Sequence, residues 1–423
     1  MADGLSTGLP ESLRVQAGRS AWAPFREPLF RSLWAAAVVS YIGTWMQNVG
    51  AGWLMTQLTT SPLKISLVTA AATLPVFLVI LPAGALADIV DRRRFLLITQ
   101  GWMVLASGLL GILTLTSCVG PWTLLLFTFL LGLGAVMNDP AWQAITPEIV
   151  CSENHAAAVA LNSVGFNVAR ALGPALGGVV IAATSSGVAF LLNAVSFFGV
   201  IIFLYRWKRP HYERVETGDV RDALLAGLRY VCGAPAVKSV LVRTGAFSLA
   251  ASSLLALMPI IARRFGPGGY GMLLGCFGLG ALAGAAALPY LRGSLSVEGV
   301  VGAAIVVFAS MTFAAGQVQT FGWLLLILFA SGMAWIGILA CLNVAAQTMS
   351  PSYLRARSLS MYLLVLQGGM ALGSALWGAL ATSTGVQSAL LWSAITLMAG
   401  LLTVRRHRLP APNLELSASA VRD

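Results

Sequence analysis

The chain has 423 residues, of which 58% are hydrophobic and 10% charged, and its mean hydropathy is +0.83. That balance excludes an ordinary water-soluble globule and points to a membrane protein that crosses the bilayer many times. A net charge of +11 would suggest nucleic acid in a soluble protein, but here the cations follow the loops between apolar runs, so no nucleic-acid partner is expected.

In chain order, Met1 to Pro28 is polar, is interrupted by Pro10 and Pro24, and holds no compact apolar core ahead of a cleavage site. It reads as a cytoplasmic segment and not as a signal peptide. A hydrocarbon core of about 30 Å takes about 20 helical residues at about 1.5 Å each. Runs of that length are predicted at 32–58, 64–87, 94–117, 121–139, 156–183 and 187–205. They return at 238–262, 267–291, 298–317, 321–341, 358–383 and 387–404. Turn chemistry fills the short connections, as at Thr60-Ser61-Pro62, Gly120-Pro121, Ser185-Ser186-Gly187, Gly266-Pro267-Gly268 and Thr384-Gly385.

One connection is long, about Trp207 to Val237. Within it Leu224, Leu225 and Leu228 oppose Arg221, Asp222 and Arg229, which suits a helix lying on the membrane surface and equally a plain linker helix. The expected division is a cytoplasmic segment 1–29, a first helical half 30–206, a linker 207–237, a second half 238–405 and a cytoplasmic tail 406–423. The five cysteines show no paired spacing, so neither a disulfide framework nor a metal site is expected, and no cofactor is implied.

Two stretches 200 residues apart carry nearly the same pattern, Ala171-Leu172-Gly173-Pro174-Ala175-Leu176-Gly177-Gly178 and Ala371-Leu372-Gly373-Ser374-Ala375-Leu376-Trp377-Gly378. Asp139, Gln143 and Pro147 likewise match Asn343, Gln347 and Pro351, and Gly84 and Arg92 match Gly284 and Arg292. The chain therefore reads as a doubled six-span unit: an all-α membrane protein with twelve transmembrane helices in two pseudo-symmetric six-helix bundles. About 22 of the 26 Lys and Arg fall on one side of that arrangement. Positive loops stay inside, which places both termini and the linker in the cytoplasm of a bacterial-type plasma membrane.

The segment Gly84-Ala85-Leu86-Ala87-Asp88-Ile89-Val90-Asp91-Arg92-Arg93-Arg94 resembles the loop signature of the major facilitator superfamily, with Asp91 where a glycine is usual. That substitution leaves the turn to a residue that accepts left-handed geometry only moderately well. The resemblance implies a cytoplasmic gate made by Gly84, Asp88 and Arg92 with a carboxylate of the fourth span, where Asp139 is the acid expected. Gly173, Pro174, Gly177 and Gly178 are similar to the fifth-helix signature of the exporter branch, a place for close packing and a bend. Further stretches, from Phe25-Arg26 through Trp45-Met46-Gln47 and Asn138-Asp139-Pro140 to Asn167-Val168-Ala169-Arg170, resemble the subgroup of siderophore, drug and macrolide exporters.

Arg170 lies deep in the fifth span, where a cation must meet a wet cavity, a partner or a cargo. It is expected to line the central cavity with Gln47, Asn48, Asn162, Asn167 and Gln367, since a hydrogen-bonding group turned to lipid is left unsatisfied. A structural arginine capping helix carbonyls is the competing reading. The resemblance implies a monomeric secondary transporter that exports a small amphiphilic molecule, a siderophore or drug-like compound, by proton antiport. Import of a small metabolite, a channel and a non-transporting receptor or scaffold are the alternatives. An enzyme is not expected, because the sequence holds no Walker loop, His-Glu-x-x-His or nucleophile elbow.

Overall fold

The structure is a computed structural model that describes residues 22–89, 91–207, 234–350 and 355–402, the side chains of 81–90 and of 356 excepted. The surface helix expected at Val220–Val231 lies outside the described residues. Twelve long helices occur among those described: α1 (Pro28–Leu58), α2 (Pro62–Ile89), α3 (Arg92–Leu115), α4 (Pro121–Ile149), α5 (His155–Ala183), α6 (Ser186–Arg206), α7 (Pro235–Ala262), α8 (Gly266–Ser294), α9 (Val297–Gln317), α10 (Phe321–Thr348), α11 (Arg355–Thr384) and α12 (Val386–Gly400). By length and composition nine helical segments of the described residues can cross a membrane, and one of them, Pro235–Ser294, contains both α7 and α8.

The helices begin where the sequence offers a proline or a cap. Proline opens α1, α4 and α7, and the side chains of Ser185 and Ser296 accept from backbone amides three residues on, at Val188 and Gly299. The fourth helix outruns its predicted end at Asp139, since α4 continues for ten residues to Ile149 with Pro140 and Pro147 inside it. A proline deletes one ladder bond, but buried Ala141, Trp142 and Ile145 hold the following turns against α1 and α3, so the helix is not terminated.

Helix packing repeats with a period of six helices. In the first half α1 contacts α5 and α6, α2 contacts α4, and α3 contacts α4 and α6. In the second half α7 contacts α11 and α12, α8 contacts α10, and α9 contacts α10 and α12. The halves meet mainly where α2 lies on α11 and α5 lies on α8, two pairs that the same repeat exchanges.

Polar side chains fasten each half internally. The Gln47 Oε1 atom of α1 receives the amide of Asn193 on α6 and lies 2.6 Å from the Ser107 hydroxyl of α3, while Asn138 on α4 accepts from Gln100 on α3 at 3.0 Å. In the second half Ser253 on α7 lies 2.6 Å from Ser393 on α12, the residue 200 positions after Asn193. Gln47 is only 6% exposed, so the expectation that it lines the cavity is corrected: a buried amide in an apolar bundle is satisfied by its neighbours and not by cargo.

Candidate functional site

The α5–α8 seam runs along half of each helix. Where it is closed, a Cβ on Gly271 would collide with the Pro174 carbonyl, and one on Gly178 would stand 2.9 Å from the Gly271 Cα. Backbone touches backbone there, which only the small residues of both helices permit. The seam ends at Gly278, beside the Arg170 carbonyl and Ala171. Beyond that point the same two faces are bare: Ala156, Ala160, Ser163 and Val164 on α5 and Leu282, Ala285, Ala286 and Pro289 on α8 are exposed. The α2–α11 contact closes the same end, with the Leu63 amide donating to Thr382 at 3.2 Å and Gly378 against Ser66. A cleft therefore opens toward the end that carries Arg92 to Arg94 and is shut at the other.

Arg170 stands at the apex of this cleft. Its guanidinium carbon lies 5.9 Å from the Trp45 ring centre, and among the described residues no hydrogen bond or carboxylate reaches it. The side chain is half-buried, beside an aromatic wall in which Phe166 packs edge-on against Tyr41 at 5.4 Å and against Trp45 at 6.4 Å. Pro174, four residues on, has no N–H to give the Arg170 carbonyl, so this residue presents both a cation and a carbonyl without its helical donor at one point of the fold.

The other expected cavity residues divide. Asn48 is exposed, and Gln367, half-buried, makes no hydrogen bond among the described residues. Asn162 donates to Thr146 of α4 at 3.1 Å, an interhelical tie, and Asn167 donates to its own Ser163 carbonyl at 2.8 Å. Gly173 and Gly177 pack on α1 at Trp45 and Met46, whereas Gly178 packs on α8. Asp139 is exposed on α4 within electrostatic reach of the Tyr41 hydroxyl, and no ion pair to it occurs among the described residues.

At the open end, Arg92 does not pair with Asp139. Its Nη1 lies 2.8 Å from Glu148 Oε1, an acid that enters the fourth helix only because α4 outlasts Pro140. Asp91 needs no left-handed backbone: at φ −56° it caps α3, its carboxylate accepting from the Arg94 amide at 2.8 Å. Arg93 donates to the Leu204 and Tyr205 carbonyls at the end of α6, both at 2.7 Å. Gly84 and Asp88 fall in the last turns of α2, whose side chains lie outside those described. A double-mutant cycle of Arg92→Gln and Glu148→Gln, read by thermal unfolding in detergent, should give a coupling of about 0.5–1 kcal/mol, because both groups are partly open to solvent. A coupling of zero would make the pair incidental.

The family model described as "transmembrane secretion effector" matches residues 19–422, nearly the whole chain. This chain belongs to the transmembrane secretion effector family of the major facilitator superfamily. The family and its structural neighbours are transporters and not enzymes. Similar proteins include the multidrug efflux pump Tap of Mycolicibacterium fortuitum, 26% identical over 401 residues that cover 91% of this chain and 97% of that one, and the enterobactin exporter EntS of Citrobacter koseri, 26% identical over 410 residues covering 91% and 94%. The staphyloferrin A transporter of Staphylococcus aureus is 26% identical over 169 residues, 40% of this chain and 43% of its own. In fold the chain is similar to a mutant form of the nucleoside transporter NupG, with a TM-score of 0.75 at 12% identity over 90% of this chain and 100% of that one. It is also similar to an inward-facing bacterial homologue of the lysosomal transporter Spinster, with a TM-score of 0.66 at 13% identity over 91% and 95%.

Sequence reasoning about this secretion effector missed a second charged pair besides that of Arg92 and Glu148. Arg243 lies inside α7, 4% exposed, with its Nη1 2.7 Å from both carboxylate oxygens of Glu298 in the first turn of α9. The signal was available, since both residues fall within the predicted spans 238–262 and 298–317 and a lone charge there needs a partner.

Proposed function

We propose that this protein is an exporter of small amphiphilic molecules bearing an anionic or hydrogen-bonding group, siderophore-like or drug-like, working by alternating access. Twelve membrane crossings in two six-helix bundles, residues 30–206 and 238–405, rock about the Arg170 level, with both termini and the linker on the cytoplasmic face and a single copy as the working unit. The observation that carries this reading is the Arg170 guanidinium, unpaired among the described residues, at the apex of a cleft walled by Trp45, Tyr41 and Phe166. A cation left without a partner in such a place attracts an anionic group, and the aromatic faces suit the apolar remainder of an amphiphile.

The cleft's mouth is at the end rich in Lys and Arg, the cytoplasmic end under the positive-inside rule, which is where an exporter takes up its cargo. What supports export over import is the full-length relatives named as an efflux pump and an enterobactin exporter. Asp139, exposed on α4 and without an ion pair among the described residues, carries the coupling proton: it takes up a proton from the outer side as cargo leaves and gives that proton to the cytoplasm as new cargo binds.

The test is uptake into inverted membrane vesicles of a panel of siderophores and antibiotics. At least one compound should accumulate above vesicles lacking the protein, an uncoupler should collapse that accumulation, and Asp139→Asn should leave only downhill exchange. Accumulation indifferent to the uncoupler overturns proton coupling, and no accumulation of any compound overturns export.

A further inference from the structure

The end of the molecule at which the cleft is shut is poor in cations. Lys64 there sits 5.9 Å from the Trp122 ring centre, leaving Arg263 and Arg264, side by side in the turn between α7 and α8. Both are exposed, and both line a cavity of about 420 Å³ formed by the ends of α7 and α9 and the start of α12. One wall is apolar, from Ile260, Ile261 and Val386, and the rim adds Gln319 and Gln387 to the two guanidiniums.

Arg264 is held in place: its Nη2 donates to the Val318 carbonyl at 3.0 Å and its guanidinium lies 4.9 Å from the Phe265 ring centre. The Arg263 side chain makes no hydrogen bond or ion pair among the described residues. The repeat of six helices supplies an internal comparison. A cavity of about 470 Å³ occupies the related place at the ends of α1 and α3 and the start of α6, lined by Trp53, Gln57, Thr114 and Ser185 with no charged side chain. The fold at this position thus does not require cations, and the pair in the second half calls for a reason of its own.

Depth supplies it. At about 1.5 Å per residue α7 is longer than a hydrocarbon core of about 30 Å, so the turn after it stands at headgroup level. We propose that this cavity binds one anionic phospholipid of the leaflet on the closed side, with its phosphate between Arg263 and Arg264 and the start of an acyl chain on Ile260, Ile261 and Val386. Two guanidiniums suit a phosphodiester, and the apolar wall distinguishes a lipid from a free anion. The proposal rests on membrane placement alone and is independent of cargo, direction and coupling.

The experiment is native mass spectrometry of the delipidated full-length protein in neutral detergent, titrated with phosphatidylglycerol, phosphatidylethanolamine or inorganic phosphate. The unaltered protein should retain one phosphatidylglycerol in preference to phosphatidylethanolamine. Arg263→Gln should weaken that retention about tenfold, as for the loss of one charge-assisted contact, while Arg263→Lys keeps most of it. Gln387→Glu, an exposed rim change that adds a repelling charge, should weaken it too and serves if Arg263→Gln does not fold. Equal retention by the parent and these variants, equal binding of the two lipids, or displacement of phosphatidylglycerol by inorganic phosphate would overturn the lipid site.

Discussion

Replacing Arg170 by methionine should reduce export to the level of cells lacking the protein while leaving the chain in the membrane. Methionine keeps the length and apolar stem of the side chain, so its packing beside Trp45 survives and only the charge is lost. Two charge-assisted hydrogen bonds to a cargo anion are worth about 3 kcal/mol together, or about two orders of magnitude in affinity. Arg170→Lys, a point charge without the planar fork, should keep part of the activity. The measurement is accumulation of the best compound of the vesicle panel, normalised to protein in the membrane. Full activity of Arg170→Met would return the residue to a purely structural role.

Substituting Gly271 by leucine should force open the shut end of the molecule. A side chain at that position meets the Pro174 carbonyl and the Gly178 backbone, neither of which can turn aside as a flexible side chain does. Overpacking of this kind costs about 1–3 kcal/mol, which moves the balance between closed and open ends by about fivefold to 150-fold. Spin labels at Thr184 and Phe265 should report a longer distance, and labels at Ala156 and Tyr290 a shorter one, as the molecule tilts to the opposite state. Unchanged distances in a well-expressed variant would mean that the seam does not decide which end is open.

Much of the architecture was legible in the chain because a bilayer leaves few options. Apolar length fixes where helices lie, and the matched Ala171–Gly178 and Ala371–Gly378 segments disclosed a repeat that helix packing reproduces pair by pair. The site was less legible, for reasons that differ by residue. Arg170 could be found because a buried cation is conspicuous in lipid. Gln47 misled because polarity alone does not tell a cavity lining from a clamp between helices; that depends on which face of α1 meets Asn193 and Ser107. Glu148 was overlooked through a boundary error, since Pro140 in lipid bends a helix that would stop in water.

The stripe on α8 that begins with Gly271, Gly275 and Gly278 continues as Leu282, Ala285, Ala286 and Pro289, and the small residues persist almost to the helix end. On the proposed rocking cycle a single surface then acts as a zipper in either half of its length. When the lower teeth engage, the upper ones part, and each engagement gains mostly contacts between alanine, glycine and bare peptide. Neither resting posture becomes a deep trap, so a modest push from a bound molecule suffices to turn the machine over.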